Sequence, residues 1–168
     1  MYKDTFEAVS NAAGTKVGFL KKNPVGYFLM AMAAGAYIGF GNVLINVIGG
    51  MLNGAPQTKI VMGAAFGIAL SLVIIAGAEL FTGNNLVMVA GISKKKITIL
   101  DAIKLWIVCW LGNWAGSVVM ALLFQYSGLN NEVTATFLAT AAAGKMAVPF
   151  LPLLIRGILC NMLVCLAV

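Results

Sequence analysis

Long apolar runs alternate with short polar segments along this chain of 168 residues. The three longest runs cover residues 25–50, 60–78 and 105–124, and each is long enough for a helix that crosses a hydrocarbon core of about 30 Å. Charged residues make up only 10% of the chain, against about 25% in ordinary soluble domains. The pattern therefore predicts an all-α polytopic membrane protein.

The second span, residues 60–92, departs from a simple helix. Its apolar part is followed by a polar group that includes Glu79, Thr82, Gly83 and Asn84, and then by a second apolar piece, residues 86–92. A piece of that length rises only about 14 Å, roughly half of a bilayer core. We therefore expect a broken helix, whose irregular backbone must be buried in protein or line a wet cavity.

The residues at this break suggest a site for an anion. The half-helix after Gly83 would point its unsatisfied N–H groups into the membrane interior, as half-helices do at anion sites in transporters. Thr82 could donate its hydroxyl to the anion, and the bulky Leu80 and Phe81 suit a constriction that strips water. Because Glu79 would repel an anion, we assign it a scaffold role as acceptor of hydrogen bonds from loop N–H groups.

The rest of the chain divides around these spans. Residues 1–23 have apolar positions at helical spacing and predict an amphipathic helix along the cytoplasmic interface, with a plain membrane anchor as the alternative. The transmembrane region, 24–168, continues with a third span at 98–126, a short segment at 132–146 and a last run at 149–168. Each main span carries a pair of glycines at a spacing typical of close helix packing: Gly35 and Gly39, Gly63 and Gly67, Gly112 and Gly116.

The net charge of +6 comes from lysines whose placement indicates the membrane topology. Lysines cluster before the first span and after the second: Lys3, Lys16, Lys21, Lys22, Lys94, Lys95, Lys96 and Lys104. This placement follows the positive-inside rule, puts the N-terminus in the cytoplasm, and makes anionic membrane lipid rather than nucleic acid the expected surface partner.

Enzymatic chemistry has little support in the sequence. Histidine is absent, no Walker-type phosphate loop occurs, and the three cysteines (Cys109, Cys160 and Cys165) lie inside apolar runs without metal-ligand spacing. We therefore expect neither catalysis nor a cofactor or bound metal.

Two segments resemble a known family. GAELFTGN at residues 77–84 and GILCNMLVCLAV at residues 157–168 are similar to signatures of the formate/nitrite transporter family, with the bacterial hydrosulfide channels as the most similar branch. The resemblance implies an aquaporin-like bundle of six spans, broken in the second and fifth, with a pore in each protomer of a homopentamer in the inner membrane. On this alignment residues 149–168 fall in the fifth span, and we expect the chain to be a fragment of a complete channel.

The resemblance also implies roles along the pore. Thr82 would lie beside the central chamber, with Leu80 and Phe81 forming a slit on the cytoplasmic side. Phe66 would contribute to the opposite slit, and Leu70 would line the path.

Three further positions follow from the same resemblance. Lys145 would attract anions into the pore, Asn161 would offer a polar contact near the chamber, and Lys16 would be a second attractor. A histidine that family members carry opposite the loop threonine would fall after residue 168.

The function expected is a channel for small monovalent anions such as formate, nitrite or hydrosulfide. A proton-coupled anion symporter of the same fold is one alternative. An aquaporin-type channel for neutral solutes is another, although its paired Asn-Pro-Ala boxes are missing and the one Asn-Pro step, Asn23-Pro24, precedes the first span.

Overall fold

The computed structural model describes residues 2–167, and every regular element in that range is helical. In chain order the helices are α1 (Tyr2–Lys22), α2 (Pro24–Met51), α3 (Thr58–Ile75), α4 (Phe81–Ser93), α5 (Ile99–Tyr126), α6 (Glu132–Met146) and α7 (Phe150–Ala167). This architecture agrees with the predicted all-α class.

Side-chain caps fix where several helices begin. The Asn23 side chain accepts a hydrogen bond from the backbone N–H of Gly26, and Pro24 occupies the first turn, where its missing N–H is not needed. Thr98 and Asp101 form a reciprocal capping box at the start of α5. These local signals explain why the observed helix starts lie close to the predicted ones.

The second predicted span is broken, as the sequence indicated. Helix α3 ends at Ile75, Gly77 adopts a left-handed φ of +65°, and Leu80 is extended before α4 begins. Glycine suits the left-handed position because it has no Cβ. The chain thus carries two helices with a short irregular loop, residues 76–80, between them.

Four helices within residues 2–167 are long and apolar enough to cross a membrane: α2, α3, α5 and α7. Helix α6, with 15 residues, is not among them. The apolar run from Phe150 forms the fourth of these long helices, and it is continuous over its described residues, Phe150–Ala167.

Helix α1 packs along the neighbouring helix α4 instead of lying free. Its buried face consists of Ser10, Ala13 and Val17, and the Ser10 hydroxyl donates to the carbonyl oxygen of Ala90 on α4 at 3.3 Å. Phe6, one of the apolar positions of this helix, is not part of the buried face and stays 41% exposed.

Ion pairs fasten the start of α1 to the turn after α4. The Glu7 carboxylate lies 3.1 Å from the Lys96 ammonium and 3.6 Å from that of Lys94. The hydrogen bond from Lys96 and the two nearby positive charges lower the pKa of Glu7 from its ordinary value.

Glycines allow α2 and α5 to approach closely. Side chains at Gly35 and Gly39 would run into Asn113 and Met120 of α5, and Gly116 faces the backbone of α2 at Met32. Two of the three predicted glycine pairs therefore pack as expected. The third pair does not, because open space surrounds a Cβ at either Gly63 or Gly67 among the described residues.

The substitution Gly116→Ala should destabilise the α2–α5 contact. The added Cβ would meet the carbonyl of Met32 and, at 2.9 Å, the backbone nitrogen of Ala36. We expect a loss of about 1–3 kcal/mol in unfolding free energy, seen as a lower Tm by circular dichroism in detergent. Gly67→Ala is the matched control and should not lower the Tm; equal Tm values for both variants would contradict this packing.

Candidate functional site

The loop between α3 and α4 is fastened to the middle of α5 by one side chain. The Nδ2 amide of Asn113 donates to the carbonyl oxygens of Glu79 at 2.9 Å and Ala31 at 2.8 Å, and its Oδ1 accepts from the backbone N–H of Phe81 at 2.9 Å. Asn113 lies near the midpoint of a helix long enough to cross a membrane. The loop and the first residue of α4 therefore lie at about half the height of the bundle.

The carboxylate of Glu79 is buried in a polar cluster below this loop. Its two oxygens each lie 2.7 Å from the Lys16 ammonium, and Oε2 also accepts from the Tyr27 hydroxyl at 3.1 Å and the Asn84 amide at 2.9 Å. Glu79 is only 7% exposed. The partners differ from those expected, since the carboxylate binds side chains of three helices rather than loop N–H groups.

Lys16 accordingly has a different environment from the one predicted. Its ammonium is engaged by both oxygens of Glu79, and the lysine side chain is 26% exposed. A cation held this way neutralises the buried carboxylate, so little of its charge is left to act at a distance. The expected attraction of anions by Lys16 has no support in this geometry.

Two α5 side chains complete the cluster. The Cys109 thiol lies 3.2 Å from the carbonyl oxygen of Glu79 and 3.4 Å from the Asn84 amide, and the Trp106 indole N–H lies 3.5 Å from the Asn84 carbonyl oxygen. Cys109 lies in the buried core, as its place inside an apolar run indicated. Together these contacts make Asn84 the link between the start of α4 and the core of α5.

Thr82 lies half-buried in the first turn of α4, where its backbone joins α7. Its carbonyl oxygen accepts from the Asn161 amide at 3.0 Å and lies 3.4 Å from the Cys165 thiol. Asn161 also accepts a hydrogen bond from the Asn85 amide. The N–H groups of Thr82 and Gly83 belong to the first helical turn, which has no intrahelical acceptors for them.

Two cavities lie at different levels along α3. The smaller, about 200 Å³, is lined by Leu80, Lys16 and Gly83 together with Val73 near the end of α3. The larger, about 470 Å³, is lined by Phe66. Phe66 and Val73 are seven positions apart, a rise of about 10 Å. The loop side chain Leu80 thus faces one cavity, and Phe66 faces another.

Lys145 reaches the larger cavity from the last turn of α6. Asn42 and Gln125 line the same space, and Lys145 also borders an adjoining cavity of about 600 Å³ that Lys59 lines. No carboxylate lies within ion-pairing distance of Lys145 among residues 2–167. Lys145 is therefore an exposed, uncompensated positive charge at a cavity mouth.

The remaining predicted residues are less directly placed. Phe81 packs partly against the buried core of α1, α4 and α5 instead of standing beside Leu80 at a cavity wall. Leu70, one turn beyond Phe66 on α3, is half-buried. Their roles in a slit or a pore lining stay predictions.

Sequence reasoning missed Tyr27 and Asn113, which make the decisive contacts. Both are polar residues within long apolar runs, and polar residues inside a membrane span commonly bind neighbouring helices. Asn113 stands alone between Gly112 and Trp114, so its polarity was a usable signal. Tyr27 gave a weaker one, because tyrosine is also common near membrane surfaces.

Comparison with known proteins finds a protein family whose sequence profile matches this chain, and relatives with similar sequences. The sequence profile of the family described as "Formate/nitrite transporter" matches residues 3–168. The Nitrite transporter NirC of Escherichia coli strain K12 is 38% identical over 173 aligned residues, which cover 100% of this chain and 63% of the relative. The chain thus spans less than two thirds of the length of that relative.

Two solved structures share the fold. One, titled "FNT family ion channel", superposes with a TM-score of 0.92 at 37% identity, covering 98% of this chain and 66% of the other. The second, titled "Pentameric formate channel with formate bound", gives a TM-score of 0.80 at 33% identity, with 88% and 59% covered.

A double-mutant cycle on Lys16 and Glu79 tests the buried cluster. Glu79→Gln removes the counter-charge of Lys16, and Lys16→Met leaves the carboxylate unpaired. We expect each single change to lower the unfolding free energy by about 3 kcal/mol and the double variant to lose clearly less than the sum. The measurement is unfolding in mixed detergent.

The exposed pair Lys21–Asp101 provides the matched control. Its ammonium and carboxylate also lie 2.7 Å apart, but the Lys21 side chain is 65% exposed. Water weakens such a pair, and we expect a coupling below about 1 kcal/mol. Additive effects at Lys16 and Glu79, no larger than in this control, would refute a buried ion pair.

Proposed function

Because this chain belongs to the formate/nitrite transporter family, we propose that it forms the part of a membrane channel through which small monovalent anions pass. The observation that carries the proposal is the start of α4. The first turn of that helix lies at half height in the bundle, clamped by Asn113 and Asn161. The N–H groups of Thr82 and Gly83 and the Thr82 hydroxyl are the donors that a partly dehydrated anion needs.

The charges around this point support an anion rather than a cation. Glu79 would repel the permeant, but Lys16 neutralises it at 2.7 Å. The role proposed for Lys16 is therefore local compensation, replacing the attraction first expected of it. Lys145, at the mouth of the larger cavity, raises the local concentration of anions.

Apolar side chains supply the barrier that a selective pore needs. Leu80 lines the smaller cavity and Phe66 the larger one, and we assign Phe81 and Leu70 to the same path. A permeant that passes them must shed water, and the helix N-terminus returns part of the lost solvation. This combination favours small ions with a single negative charge.

Formate and nitrite are the permeants proposed first, since relatives carry those names. Hydrosulfide, which is equally small and singly charged, is proposed with them. The complete protein would be a homopentamer in the inner membrane, with its N-terminus in the cytoplasm and no enzymatic step.

The Thr82 hydroxyl can be tested by an isosteric change. Thr82→Val removes one donor to a charged ligand, worth about 1.5–3 kcal/mol. Formate flux into proteoliposomes made with the full native protein should fall about ten-fold or more, whereas Thr82→Ser should retain most of it. Wild-type flux in the valine variant would exclude the hydroxyl as a permeant contact.

Lys145 is tested by charge reversal. Lys145→Glu should lower formate flux several-fold at low ionic strength, and the deficit should shrink as salt screens the charge. Lys3→Glu, an equal change at an exposed position on α1, serves as control. Water and glycerol fluxes measured in the same vesicles distinguish the alternatives: a pore of aquaporin type would pass glycerol and show no dependence on Lys145.

A further inference from the structure

A groove on the outside of the bundle runs between α1, α2 and α5, away from the cavities already described. It encloses about 380 Å³, and its walls are Val17 and Leu20 of α1, Pro24 of α2, and Ile107 and Val108 of α5. These side chains present hydrocarbon, so the groove suits an apolar chain and offers no site for a small ion.

Charged residues stand at one rim of the groove. Asp101 and Lys21 form an ion pair at 2.7 Å, and the same carboxylate accepts from the Thr98 hydroxyl at 2.7 Å. Lys104 shares the rim, and no carboxylate lies within ion-pairing distance of it among residues 2–167. The rim therefore carries one net positive charge, on Lys104.

The groove opens onto a strip of exposed apolar side chains that follows α5. Ile103, Ile107, Trp110 and Trp114 recur at steps of three or four, with exposures of 42%, 54%, 54% and 61%. A strip of this kind on a helix of spanning length is the surface that faces acyl chains. The hydrocarbon walls of the groove continue directly into it.

We propose that this groove binds an anionic phospholipid of the adjoining leaflet, which is the cytoplasmic one in the proposed orientation. The headgroup phosphate accepts hydrogen bonds from the Lys104 ammonium, and one acyl chain lies along Ile107 and Leu20. Basic pockets between spanning helices at the cytoplasmic side suit such headgroups. The site is separate from the permeation path, and its test does not depend on transport.

The charge at the rim favours a lipid over a second copy of the chain as the occupant of the groove. The groove presents an uncompensated lysine at its rim, whereas phosphatidylglycerol offers the matching negative charge beside a hydrocarbon tail. A second copy that met the groove with this same surface would bring further like charge, from lysines that include Lys22 and Lys104.

The experiment is native mass spectrometry of the full native protein titrated with phosphatidylglycerol or phosphatidylcholine of equal chain length. Wild type should bind the anionic lipid more tightly, and Lys104→Gln should lower that affinity about five-fold while leaving phosphatidylcholine unchanged. Lys59→Gln, which removes an equal charge from a different cavity, should have no effect. Ile107→Trp, which narrows the groove, should weaken binding of both lipids.

Two results would overturn the site. Equal affinity of wild type and the Lys104 variant for phosphatidylglycerol would show that the rim does not recognise the headgroup. A photoreactive residue at position 107, illuminated in phosphatidylglycerol vesicles, should label lipid; if it crosslinks to a second copy of the chain instead, the groove is a protein interface.

Discussion

Backbone that leaves a helix in the middle of a membrane must find hydrogen-bond partners inside the protein, and Asn113 supplies them here. One amide donates to the carbonyls of Glu79 and Ala31 and accepts from the N–H of Phe81. It therefore joins α2, the loop and α4 to the centre of α5. Without it, the Phe81 N–H would lose its acceptor, and the Glu79 carbonyl would keep only the Cys109 thiol, at a depth where water is scarce.

A second constraint follows from that loop, because a carboxylate stands within it. Glu79 is buried, and a lone buried charge is strongly unfavourable. The chain solves this by bringing α1 alongside, so that Lys16 reaches the carboxylate while Tyr27 and Asn84 fill its remaining acceptor sites. The N-terminal helix is thereby part of the site. Its packing on α4 places Lys16 where it neutralises the carboxylate in the loop.

Much of the fold could be predicted from hydrophobicity alone, and the site only in part. Helix bounds followed from apolar run lengths and from caps such as Asn23 and Thr98, which act within a few residues. The break at Gly77 was visible as a polar interruption. The contact of Lys16 with the loop and that of Asn161 with the first turn of α4 were not, since each joins residues more than 60 positions apart. Such pairings depend on how helices pack, which the sequence pattern leaves open.

The glycine pairs also show that the sequence pattern leaves helix packing open. All three have the spacing of close packing, yet a Cβ at Gly63 or Gly67 would meet no atom within 4 Å among the described residues, whereas one at Gly35 or Gly116 would meet a facing helix. Spacing marks a surface that permits approach, but the partner decides whether the approach occurs.

Helix α5 presents one face to the other helices and the opposite face outward. Hydrophobicity cannot distinguish them, because both are apolar. The inner face holds the small Ala102, Cys109, Gly112 and Gly116 together with the larger Leu105, Met120 and Phe124, and the outer face holds large side chains, among them Ile103, Ile107, Trp110 and Trp114. Small residues let α2 come close enough for Asn113 to reach the Ala31 carbonyl, while large ones cover area that lipid must contact. The hydrogen bonds that hold the broken span and the surface proposed to hold a phospholipid thus belong to the inner and outer faces of one helix.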